Sequence, residues 1–100
     1  MDIKALTAEM NNFVTAQGWY EPDSPKPQTL RNLAISLSLE TAEVLEHFQW
    51  TDQEIDAEEL GQELADVALY LLQISSVADI DLEQAILGKL AHNYGRNWEG

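Results

Sequence analysis

Two acidic pairs, Glu40-x-x-Glu43 and Glu63-x-x-Asp66, carry the densest chemistry in the chain. Residues three apart on an α-helix lie on one face, so each pair aims two carboxylates at one point. If the two helices pack side by side, four carboxylates converge. Like charges cannot crowd there bare without one or more taking up a proton. A hard divalent cation resolves the conflict, and all-oxygen ligation suits Mg²⁺ or Mn²⁺. With 18 acidic residues, pairs three apart also arise by chance, as Glu43 with Glu46 and Asp56 with Glu59 do. The two chosen pairs differ in their setting. They border apolar stripes, where half-buried charge is costly without compensation.

The elements that must position them are helical. Residues 3–17 place Ile3, Leu6, Met10, Phe13 and Val14 at helical spacing, and Gly18 ends the run. Pro22, Pro25 and Pro27 make 20–29 a stiff loop. The second helix is expected from about Gln28 to Gln49, with Leu30, Leu33, Leu37, Val44 and Phe48 as its stripe. Ile35, Leu39 and Ala42 form a second apolar patch, and a helix apolar on two sides is buried on two sides, which suggests a partner subunit. Thr51-x-x-Glu54 reads as a capping box that starts a third helix running to about Ala78, with Leu60, Leu64, Val67, Leu71 and Ile74 facing the core. Gly61 is its weak point, where it could bend or break. Asp81-x-x-Gln84 is a second capping box and opens a fourth helix to about Asn93. The short link after Gln49 makes the second and third helices an antiparallel hairpin, which brings Glu43 level with Glu63. No strand signal occurs. The expectation is an all-α fold, a four-helix bundle-like protomer, with residues 1–100 as one domain.

The net charge of −13, from 18 acidic and 5 basic residues, argues against nucleic acid as a partner. With no cysteine, disulfides and thiolate metal sites are excluded. No secretory signal and no apolar run of membrane-spanning length is seen, so a soluble, cytoplasmic protein is expected. The scarce cations include Arg31 at the start of the second helix and Lys89 and Arg96 near the end, placed to meet an anion. A di-iron carboxylate bundle needs Glu-x-x-His motifs, and neither His47 nor His92 completes one. Trp19, Trp50, Tyr70 and Trp98 fit ordinary packing, although Trp50, at the mouth of the hairpin, is also placed to stack on a base.

Taken together, these runs resemble a known family. They are Arg31-Asn32-Leu33-Ala34, Glu40-Thr41-Ala42-Glu43, Glu46-His47-Phe48-Gln49-Trp50, Glu63-Leu64-Ala65-Asp66-Val67 with Tyr70, and Asp81-Leu82 through Lys89 and Asn93. Over about residues 28–97 the chain resembles the all-α nucleotide pyrophosphohydrolases, the MazG-like proteins and their dCTP pyrophosphatase relatives. Phe48-Gln49-Trp50 is the most specific element and points to the dCTP pyrophosphatase-like branch, away from the branch acting on histidine-biosynthesis intermediates. The resemblance implies Mg²⁺-dependent cleavage of a (d)NTP between the α and β phosphates, giving a monophosphate and pyrophosphate. It implies Glu40, Glu43, Glu63 and Asp66 as metal ligands, with Glu40 or Glu43 also handling the attacking water. It further implies Lys89, Asn93 and, more loosely, Arg96 on the phosphate and sugar side, Trp50 against the base, Tyr70 one turn beyond Asp66, and a homodimer or homotetramer. One departure is Thr29-Leu30, where such relatives often carry His and Pro. The Gly18-Trp19-Tyr20 segment also differs in length, which leaves the preferred base open. The rival from another class is a non-enzymatic acidic helical interaction module, in which the acidic pairs would face solvent.

Overall fold

The computed structural model describes residues 1–50 and 56–96. Four helices follow one another: α1 (Ile3–Ala16), α2 (Leu30–Glu46), α3 (Ala57–Val77) and α4 (Leu82–Tyr94). The fold is all-α, as the periodicity predicts. Each helix begins at a side chain that accepts hydrogen bonds from the first turn, satisfying donors the helix cannot. Asp2 accepts from Ala5, Thr29 from Asn32, Asp56 from Glu58 and Glu59, and Asp81 from Gln84.

Two boundaries and one expected break depart from the sequence reading. α2 ends at Glu46, because His47, Phe48 and Gln49 donate to Val44, Leu45 and Glu46 in tighter three-residue turns. α3 starts at Ala57 behind its Asp56 cap, while the Thr51–Glu54 box lies outside the described residues, as does Trp98. The predicted weak point at Gly61 is absent; α3 runs through it unbroken.

α3 is the central helix, packed against α2 on one side and α1 on the other. Met10, Val14 and Leu72 form the buried cluster, with Ile3, Trp19 and Leu82 packed around it, and Leu33 is buried on α2. The expected stripe of α3 is therefore shifted: Leu72 is buried and Leu71 is half-exposed, because the C-terminal half of α3 turns toward α1. α4 contributes only its first residue, Leu82, to this cluster and buries none of its own residues. Ile35 and Leu39 stand exposed on α2, so the described residues leave this second apolar patch uncovered.

The end of α1 sets up the site. Gly18 adopts φ +75°, its N–H donates to Thr15 and that of Trp19 donates to Val14, a Schellman ending that only a left-handed residue completes cheaply. The motif swings Trp19 back onto Phe13, ring centroids 5.6 Å apart and edge to face. α3 closes with the same motif at Asp79, φ 57°, where Ile80 donates to Ser75.

Candidate metal centre and adjoining cleft

On α2, residues 33, 36, 40 and 43 share a face; on α3, residues 63, 66, 70 and 73 do. The helices run antiparallel. Glu40 and Glu43 meet Glu63 at one end of the seam, while Gln28, just before α2, meets Gln73 at the other, 2.7 Å apart.

At the first end, carboxylate oxygens of Glu40, Glu43 and Glu63 lie within 4.8 Å of one another. Glu40 and Glu63 are half-buried and Glu43 is exposed. The Glu40 carboxyl is pushed above the ordinary carboxylate range, first by burial and then by the charge of Glu43. Glu63 is pushed the same way, first by its hydrogen bond with Glu43 and then by burial, with His47 opposing. The charge of Asp66 raises both, which places it in the same electrostatic cluster. Glu40 Oε2 and Glu63 Oε2 are sealed from solvent and receive no hydrogen bond among the described residues. Orphaned buried oxygens need an explanation. Two of them, in a cluster with only oxygen ligands, fit a hard divalent cation. The interaction-module reading required these pairs to face solvent; Glu43 and Asp66 do, whereas Glu40 and Glu63 are half-buried.

A cleft of about 770 Å³ opens from this cluster and runs down the seam toward α1 and the proline-rich loop. Glu40 and Asp66 line its acidic end, Ser36 and Tyr70 its middle, and Gln28, Asn32, Gln73, Phe13, Trp19 and Lys26 its far end. Lys26 Nζ sits 5.2 Å from the Trp19 ring centre. Of the ten candidate site residues, Glu40, Glu43 and Glu63 come together, while Asp66 lines the acidic end of the cleft beside them and Tyr70 its middle. Trp50, 89% exposed, does not line it. Neither do Lys89 and Asn93 on α4, Arg96 after it, or Arg31 on the outer face of α2. Sequence reasoning treated Trp19 as packing and passed over Phe13, Gln28, Lys26 and Gln73. The Gly18-Trp19 step was the available signal, since a glycine-closed helix commonly folds the second following residue back onto its last turn.

With this geometry in place, likeness to known proteins is decisive for the family. A pyrophosphatase from Archaeoglobus fulgidus superposes on 96% of this chain and 92% of its own, with TM-score 0.75 and 33% sequence identity. The chain belongs to the all-α NTP pyrophosphohydrolase superfamily. Within that superfamily, it is 34% identical over 104 residues to dCTP pyrophosphatase 1 of Homo sapiens and 33% to that of Mus musculus. These alignments take in 95% of this chain and 56% of each relative, so the chain spans little more than half of their length. No family profile matches the chain.

Proposed function

We propose that the chain is a Mg²⁺-dependent nucleoside triphosphate pyrophosphohydrolase that cleaves (d)NTPs between the α and β phosphates, with dCTP-like nucleotides among its substrates and nucleotide-pool cleaning as its role. The observation that carries this reading is the convergence of three carboxylates, two with orphaned buried oxygens, at the end of a cleft of nucleoside dimensions. Glu40, Glu43, Glu63 and Asp66 would hold the metal. When bound, the cation supplies charge neutralisation on the triphosphate and Lewis-acid polarisation of the scissile phosphate. Mn²⁺ suits the same oxygen set.

Glu43 is the exposed member of the three converging carboxylates, and its charge raises the carboxyls of both Glu40 and Glu63. It is placed to orient an attacking water and accept its proton, with Glu40 as the alternative base. Tyr70 lines the cleft midway and supports the sugar, while Phe13 and Trp19 offer an aromatic wall to the base. Lys89, Asn93, Arg96, Arg31 and Trp50 are assigned to the phosphate, sugar and base through assembly with a second copy, since this chain's own cleft does not include them.

A homodimer or homotetramer also accounts for the surface. The chain exposes 7822 Å² where a compact monomer of its mass exposes about 5,700 Å². Its radius of gyration is 16.3 Å against roughly 13 Å for a compact domain of this length. Leu39 (63% exposed) and Leu45 (70%) lie uncovered on α2. The acidic balance disfavours nucleic acid as a partner. No described helix is long and apolar enough to cross a membrane. A single catalytic domain working in the cytoplasm is consistent with this reading.

Product analysis on a panel of dNTPs tests it. Monophosphate and pyrophosphate, formed with Mg²⁺ and abolished by EDTA, are expected. Diphosphate and inorganic phosphate would place the cleavage elsewhere and reject the reaction class. If Glu43→Ala and Asp66→Ala both kept full activity, the site assignment would be wrong.

A further inference from the structure

The far end of the cleft carries a hydrogen-bond chain with a fixed direction. Lys26 contributes a backbone carbonyl, which can only accept. Gln28 Nε2 donates to it at 2.6 Å, so the Gln28 carboxamide cannot turn over without losing that bond. Gln28 Oε1 therefore faces Gln73 and accepts from its Nε2 at 2.7 Å. The same Nε2 reaches Tyr20 Oη at 3.4 Å, and Tyr20 passes its own proton to Asn11 Oδ1 at 2.7 Å. Asn11 Nδ2 then donates to Ser76 Oγ at 2.9 Å. Both donor directions of the Gln73 amide are consumed.

Gln73 is 4% exposed and lines the cleft, and its Oε1 accepts no hydrogen bond among the described residues. It is seven residues beyond Asp66 on the same face of α3, about 10 Å along the helix axis. That is the direction in which the nucleoside of a triphosphate held at the acidic end must extend.

The geometry points to Gln73 as the residue that reads the base, by presenting a fixed acceptor to an exocyclic amino group. This rests on the pyrophosphohydrolase reading and adds its substrate class: nucleotides whose base carries an amino group where the competing base carries a carbonyl. Cytosine and adenine donate to Gln73 Oε1. Uracil, thymine and hypoxanthine set a carbonyl oxygen against it, and the side chain cannot flip to offer its amide protons because Gln28 holds them. A buried acceptor that rejects its mismatch both by lost bonding and by repulsion discriminates more strongly than apolar shape does.

The test compares kcat/KM for dCTP against dUTP, and for dATP against dITP, matched pairs that exchange the amino group for a carbonyl. Wild type should favour the amino member by about tenfold or more, the ratio one buried hydrogen bond supports. Gln73→Met, of similar volume and apolar, should bring each ratio within about threefold of unity, a loss of at least most of one hydrogen bond's worth of discrimination. Gln28→Met acts on the orientation alone. It frees Gln73 to turn, so the ratio should collapse mainly through a gain on dUTP, and it keeps the test open should Gln73→Met not fold. A wild type without amino preference, or a folded Gln73→Met that keeps the wild-type ratio, would overturn the role of Gln73 while leaving the pyrophosphohydrolase intact. Absence of pyrophosphate release from every dNTP would overturn both.

Discussion

The two ends of the α2–α3 seam are built on opposite terms. At the far end every polar group of the Gln73 amide nitrogen, Gln28, Tyr20 and Asn11 chain finds a partner within the protein. At the acidic end three carboxylates crowd together, and two of their oxygens are sealed away with no donor among the described residues. A satisfied network stabilises the fold that contains it. An unsatisfied anionic cluster destabilises it and persists only if something outside the chain completes it. The contrast separates a self-supporting end, which holds Gln73 in one orientation, from an end that needs an outside partner, within one pair of helices.

The largest expected effects lie at the acidic end. Glu63→Gln should lower kcat/KM by about 10²–10³-fold, the scale on which single groups at a charge-stabilising site act. The same change removes one repelling charge, so the metal-free melting temperature should rise while the Mg²⁺-induced shift is lost. A variant that lost both activity and metal-free stability would put Glu63 in the scaffold instead.

Next is the response of wild type to metal. A cation that binds only the folded state, at a hundredfold over its Kd, adds about 2.7 kcal/mol, or on the order of 10 °C for a domain of this length. The pH dependence follows from the raised carboxyls of Glu40 and Glu63. Between the unfolded carboxylate value and their higher folded values, the folded chain binds more protons than the unfolded one. Metal-free stability should therefore fall as pH rises through that window, and Mg²⁺ should cancel the fall, because binding displaces those protons. Melting curves across pH with and without Mg²⁺ check both signs.

Smaller effects mark the far end and the surface. Asn11→Ala should cost about 1–2 kcal/mol by breaking the links to Tyr20 and Ser76, with the Mg²⁺ shift unchanged. Trp50→Ala should change the stability of the isolated protomer by less than about 0.5 kcal/mol, because the side chain is 89% exposed. A larger loss, accompanied by dissociation on a sizing column, would show Trp50 covered by a second copy.

Most of the helical framework was legible because it rests on local rules. Gly18 as a terminator and Asp81 as a cap are read from adjacent residues, and both hold. The acidic pairs were legible for the same reason, since a three-residue spacing fixes a shared face whatever the tertiary packing. The misses are tertiary. Leu72 replaces Leu71 in the core because α1 chooses which side of α3 it covers. Asp56 caps the described α3, where the sequence reading has Asp56 only as a chance partner of Glu59, and the Thr51–Glu54 box lies outside the described residues. Gln73 was overlooked because its meaning comes from Gln28, 45 residues away, and Trp19 was read as packing because the cleft it lines exists only once α1 docks.

The most direct measurement is a Mg²⁺ titration of melting temperature, without nucleotide and above neutral pH, for wild type and for Glu40→Gln/Glu63→Gln. The account predicts a saturable rise in wild type and a flat response in the variant, whose metal-free midpoint starts higher. A flat wild type, or an equal rise in both, would contradict a divalent-cation site at the acidic end of the seam.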